Sequence, residues 1–140
     1  MNKKSNSRRL FLKTGLAATG VLGFSNFIKA KEKNDMKKNM FVHHVYFWLK
    51  NPGSKEDLAK LVNGLEALSK VGTIKMFHIG QPADTNREVI DQSYAISWLC
   101  IFENAAAQES YQTDPIHLKF VADCSSLWSK VVVYDSVDIS

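Results

Sequence analysis

From Met40 to the C-terminus, apolar and polar positions alternate with two different periods, and the periods change at turn residues. Met40–Leu49 (MFVHHVYFWL) is dense in β-branched and aromatic side chains and stops at Asn51-Pro52-Gly53, which predicts a strand ending in a turn. Ser54 then supplies an N-cap, with Asp57 three residues on approximating a capping box. Leu58, Leu61, Val62, Leu65 and Leu68 follow at helical spacing. Gly64 inside that stripe costs about 1 kcal/mol relative to Ala, which five large apolar neighbours can absorb. Val71-Gly72 ends the helix, Thr73–Gly80 predicts a second strand, and 81–92 a polar loop.

The third predicted strand is Ser93–Phe102 (SYAISWLCIF). Asn104 caps a short helix running to Thr113, Asp114-Pro115 breaks it, and a further helix is expected to run to about Trp128. Val131–Val137 predicts the last strand. The order β-α-β-β-α-α-β implies an α+β fold, a four-stranded sheet with helices on one face. Neither His43/Val45/Phe47/Leu49 nor Val42/His44/Tyr46/Trp48 is a polar face. The same holds for Tyr94/Ile96/Trp98/Cys100/Phe102 against Ala95/Ser97/Leu99/Ile101. Three helices can cover only one face of four strands, and a bare apolar face promotes aggregation. A second copy of the sheet is the economical cover, so a homodimer is expected, with Phe47 placed on the dimer-facing side.

Charge changes the picture at the other end of the chain. The 140 residues carry a formal net charge of +4, but residues 1–30 hold six cations (Lys3, Lys4, Arg8, Arg9, Lys13, Lys29) and no acid. From Met40 on there are eight Lys/Arg against twelve Asp/Glu, a balance of −4. A nucleic-acid footprint is therefore not expected on the folded part. Ser7-Arg8-Arg9-Leu10-Phe11-Leu12-Lys13 fits the twin-arginine pattern S-R-R-x-F-L-K at every fixed position. Thr14–Ile28 follows as an uncharged, mildly apolar stretch of signal length, short of the roughly 20 residues a spanning helix needs. Residues 1–30 thus read as a signal peptide for the Tat translocase, placing the mature protein in the periplasm or otherwise outside the cytoplasm. Cleavage after Ala30 is one reading, although Ile28 at −3 fits poorly; a cytosolic amphipathic arm or an uncleaved anchor is the alternative. Residues 31–39 (KEKNDMKKN) are polar and charged, a linker by composition.

Candidate chemistry centres on His117. Asp114 as N-cap and Pro115 at the first helical position put it in the first turn, where the helix dipole disfavours imidazolium. Phe120, Val121, Cys124 and Trp128 continue its stripe, which sets the ring at an apolar wall. Tyr111 on the preceding helix is placed to act as the acid partner of a His117 base. The alternative is a core histidine bonded to backbone. His43 can line the same cavity, whereas His44 must point the other way, so the two cannot form a metal pair. His78 reads as a strand-end histidine. No metal or cofactor is expected: C-x-x-C, phosphate-loop, G-x-S-x-G and H-E-x-x-H patterns are all missing. Cys100 and Cys124 are expected a layer apart, roughly 10 Å between backbones and beyond the ~7 Å a disulfide spans.

Several of these segments resemble the stress-responsive dimeric α/β-barrel (Dabb) family. His43-His44-Val45-Tyr46-Phe47-Trp48-Leu49-Lys50 is similar to its opening H-x-V-x-F-x-x-K strand, and Tyr111-Gln112-Thr113-Asp114-Pro115-Ile116-His117 to its Y-x-x-[HD]-P-x-H segment. Trp128 and a Val-rich strand ending in Asp135 match its close. The resemblance covers about residues 40–138, within a single domain placed at 40–140, and implies a ferredoxin-like antiparallel-sheet monomer that dimerises through its sheets into a barrel. A plant cyclase of the family closes a polyketide ring by aldol chemistry. Its catalytic Tyr and His correspond to Tyr111 and His117, and its first-strand His to His43, while Ile96 stands where it has a second tunnel histidine. The resemblance thus implies catalytic His117 and Tyr111, with His43 at the substrate. Together with Phe120 and Trp128 of the apolar stripe, His43 is expected to bind a small apolar or aromatic molecule for cyclase- or isomerase-like chemistry. A non-catalytic dimeric binding protein is the alternative, and a dimeric-barrel monooxygenase a weaker one.

Overall fold

In a computed structural model, which describes residues 39–139, the chain folds as β1 (Phe41–Leu49), α1 (Lys55–Leu68), β2 (Ile74–Gly80), β3 (Ile96–Phe102), α2 (Ala105–Thr113), α3 (Pro115–Cys124), a 3-10 turn (Ser125–Leu127) and β4 (Trp128–Val137). The twin-arginine segment and nearly all of the linker lie outside the described residues. The four strands form one antiparallel sheet in the order β2-β3-β1-β4, which makes this the ferredoxin-like α+β arrangement expected above.

Local chemistry sets the helix ends. The Ser54 hydroxyl accepts the Asp57 N–H, Asn104 Oδ1 accepts the Ala107 N–H at 2.9 Å, and Asp114 Oδ1 accepts the Ile116 N–H at 2.8 Å. Gly53, in the turn before α1, has φ +82°, a conformation that favours glycine. The α1 stripe behaves as its spacing requires, with Leu61, Leu65 and Leu68 buried and Leu58 and Val62 packed at the margin of the core. Gly64 has a reason that propensity does not reveal. A Cβ there would stand 2.6 Å from Cys124 Sγ and 3.2 Å from the Phe120 ring, so its bare backbone lets α1 lie close against α3. Cys100 and Cys124 are both buried free thiols.

The helices cover the face that carries Val45, Phe47, Leu49, Ile96, Trp98, Cys100 and Phe102. Phe47 therefore corrects the expectation that it faces a partner: it is 3% exposed and its ring packs on Phe120 and Trp128. The uncovered face is the other one, with Val42, His44, Tyr46 and Trp48 on β1 and Leu99 and Ile101 on β3, each half-buried. Met76 and Tyr134 extend it onto the outer strands and are largely exposed. A second correction concerns α3, which ends at Cys124 and does not run to Trp128. Ser125 caps it, the chain makes a short 3-10 turn, and Trp128 opens β4.

Candidate functional site

Alternation along β1 turns His43 toward the helices, beside Val45 and Phe47. In the β1–β4 register its cross-strand partner is Asp135, and cross-strand partners share a face. Asp135 Oδ1 lies 2.6 Å from His43 Nδ1. The histidine is 5% exposed, whereas the carboxylate stands part-open at the edge strand. A carboxylate on Nδ1 fixes the ring's orientation and tautomer, leaves Nε2 as the acceptor, and stabilises the imidazolium formed when Nε2 takes a proton.

Tyr111 approaches from α2. It is 1% exposed, and its ring meets Phe102, His43 and His117 with centroids 5.1, 5.8 and 4.5 Å away. The Trp98 indole N–H donates to the Tyr111 hydroxyl oxygen at 3.3 Å, so the phenol's own O–H remains to be donated elsewhere. Burial, with Cys100 nearby, pushes the phenol well above its ordinary pKa, so it remains a proton donor at neutral pH.

His117 stands third in α3, in the first turn as its cap predicts. Its Nδ1–H donates to the Gln112 carbonyl at 3.1 Å, satisfying an acceptor near the end of α2 and leaving Nε2 as the basic nitrogen. The ring is half-buried, and desolvation is the first cause that lowers its pKa below the usual 6.5; His43 lowers it further, while the Gln112 carbonyl and Asp114 oppose. Burial therefore keeps this imidazole neutral at pH 7. Among the described residues the one buried side-chain polar atom without a partner is Thr73 Oγ1. Among the described residues neither histidine Nε2 has a hydrogen-bond partner.

These groups border a cavity of about 280 Å³ between sheet and helices, lined by His43, Tyr111 and His117 together with Phe47, Trp98, Phe120, Trp128 and, at the β4 side, Val131 and Val133. All five residues singled out from the sequence (His117, Tyr111, His43, Phe120, Trp128) thus meet at one place. The expected Tyr111–His117 partnership is a ring contact and not a hydrogen bond, since each polar group is held by something else. Sequence reasoning missed Asp135 and Trp98 as members. The available signal for Asp135 was an acid on the same alternate positions as Val131 and Val133, where an apolar residue would continue the pattern. Ile96 is a buried core residue beside Phe47 and brings no polar group. Among the described residues no group of three or more His, Cys, Asp or Glu is placed to hold a metal ion.

The stress responsive A/B barrel domain family matches residues 41–138. The chain belongs to this family. A stress-response A/B barrel domain-containing protein of Arabidopsis thaliana is 27% identical over 84 residues, 58% of this chain and 75% of the relative. Among solved structures, a Dabb protein with a ferredoxin-like fold from Mesorhizobium loti aligns over 72% of this chain and 98% of its own, with TM-score 0.61 and 24% identity. A dimeric ferredoxin-like protein of unknown function from Bacteroides fragilis covers 71% and 96%, with TM-score 0.56 and 19% identity. Hydroxynitrile lyase from Passiflora edulis covers 73% and 95%, with TM-score 0.61 and 17% identity. At these identities the solved structures establish the A/B barrel fold, and the plant lyase shows that the fold accommodates an enzyme.

Proposed function

We propose that this A/B barrel protein is an exported homodimer that binds a small apolar or aromatic carbonyl compound in the His43–Tyr111–His117 cavity and moves a proton on it. The carrying observation is the convergence of two imidazoles, each with Nδ1 engaged and Nε2 left as the acceptor, and one protonated phenol on a single apolar pocket. His117 Nε2 takes a proton from carbon, and the Tyr111 O–H, set by Trp98, donates to the carbonyl oxygen as charge develops there. The His43–Asp135 pair is the second proton acceptor, for a hydroxyl or for return of the proton. Phe47, Phe120 and Trp128 hold the apolar body of the ligand. Such a set suits cyclisation, isomerisation or carbon–carbon cleavage next to a carbonyl. An open pocket favours this over a barrel filled by its own side chains, and nothing in the comparisons favours a monooxygenase.

Binding is checked with benzaldehyde as probe and amide shifts by NMR. The reading expects saturable changes clustered at His43, Tyr111, His117 and Val133. Changes confined to the uncovered sheet face, or none at millimolar probe, overturn it.

The homodimer reading rests on the uncovered apolar face and on dimeric proteins of the same fold. The export reading rests on Ser7–Lys13 and the apolar stretch after it. Replacing Arg8 and Arg9 with lysine should hold the precursor in the cytoplasm; wild-type amounts in the periplasm contradict the export reading.

A further inference from the structure

The uncovered sheet face carries a feature that the cavity does not use. In the register, His78 of β2 pairs with Leu99 of β3, Leu99 with His44 of β1, and His44 with Tyr134 of β4. Two histidines therefore lie in one cross-strand row through the middle of the face. His44 is half-buried even without a partner chain. Its ring lies on Tyr46 with centroids 4.3 Å apart, and its Nδ1 is 3.1 Å from the Tyr46 hydroxyl.

We infer that this histidine row makes the homodimer dissociate on acidification, so that assembly reports the pH outside the cytoplasm. The inference rests on the proposal that a second copy covers this face.

The surroundings of His44 offer no charge to compensate a proton. On its own strand it meets Tyr46, with His43 behind it on the opposite face. Toward β3 its neighbours are Ser97, Leu99 and Ile101, which do not titrate. Beyond them on β2 is His78, a second imidazole in the same row. On β4 it meets Tyr134, and further along the face Lys130 sits over the Trp48 ring at 4.2 Å. Tyr94, from the loop before β3, packs on Tyr46. No carboxylate touches His44: Asp91, held by the Ser93 N–H, borders the pocket of Tyr46, Trp48, Tyr94 and Tyr134, Glu103 pairs with Lys75, and Asp138 accepts from the Met40 N–H. Protonated His44 would thus add to Lys130 and meet the same charge from the two-fold related copy.

The sign follows from burial. Desolvation first, then His78 and His43, lower the His44 pKa below 6.5. A second sheet laid on the ring desolvates it further, so the separated chains bind protons that the dimer excludes. Association is then full above the His44 pKa of the separated chain, itself below 6.5, and is lost as pH falls through it. With one His44 per protomer the effect counts twice, and the dimer dissociation constant should rise by at least about tenfold between pH 7.5 and pH 5.0.

Sedimentation equilibrium of the purified protein at those two pH values, with circular dichroism confirming that the fold persists, tests this. The expected result is a dimer at pH 7.5, a rise of at least about tenfold in dissociation constant at pH 5.0, and a much smaller rise in His44→Gln. A wild-type dimer equally tight at both pH values overturns the switch while leaving the dimer standing. A folded monomer at pH 7.5 overturns the dimer reading itself. A His44→Gln dimer that responds to pH as wild type does, although folded, overturns the role of His44.

Discussion

His43 and His44 are neighbours in the chain and opposites in the molecule. The first is 5% exposed beneath the helices, tied to Asp135 and open only to the cavity. The second lies on the uncovered face against Tyr46 and has no acid partner. The same contrast runs along β1, where Val45 and Phe47 belong to the core while Tyr46 and Trp48 remain half-buried. One face packs beneath the helices and holds a pocket with fixed proton donors and acceptors, leaving Phe77, Val131 and Val133 of the outer strands part-exposed at its edges. The other is apolar yet unfinished, and its aromatic surface waits for something to cover it. On the proposed function, chemistry and assembly fall to alternate residues of the same strands, so either could change without the other.

That separation is easiest to break with a charge. Phe47→Asp places a carboxylate among Phe120, Trp128 and Val45, where nothing neutralises it. A loss above about 4 kcal/mol is expected from the buried charge and the missing ring together. Thermal denaturation should show no cooperative transition above room temperature. Leu99→Asp, the same charge on the uncovered face, should instead leave a folded chain whose mass in light scattering is that of a monomer. If Leu99→Asp unfolds as thoroughly as Phe47→Asp, the two faces are not independent; if it remains dimeric, the partner does not sit on this face.

Much of this division was legible in the sequence, and the limits have physical reasons. Capping chemistry is local, so Ser54, Asn104 and Asp114 mark the three helix starts correctly. Periodicity identifies a face but not its partner: with both faces of β1 apolar, nothing in the alternation says which one receives the helices, and Phe47 was placed on the wrong side. The spacing of Phe120, Cys124 and Trp128 imitates a longer α3, although Ser125-Ser126 are poor helix residues and end it. Tyr111 and His117 are six residues apart and their meeting is set by one tight turn, so the motif carries them. The His43–Asp135 pair spans 92 residues and depends on the β1–β4 register, which no local signal encodes. Gly64 appeared as a helix defect because its contact, Cys124, lies on another helix.

The central claim, that His117 is a working base and not a structural histidine, is tested most directly by isotope exchange. Acetophenone in deuterated buffer loses its methyl hydrogens when a base removes a proton while an acid supports the carbonyl oxygen, and NMR follows the loss without knowledge of the natural substrate. The purified protein should accelerate this exchange above an equal concentration of imidazole. His117→Gln and Tyr111→Phe should each lower the rate by about 100-fold or more while melting temperatures confirm intact folds. Because the folded-state pKa of His117 lies below 6.5, its basic form persists at pH 6.5, and the rate should halve only at a lower pH. Exchange no faster than imidazole, or a folded His117→Gln variant as fast as wild type, would contradict the account.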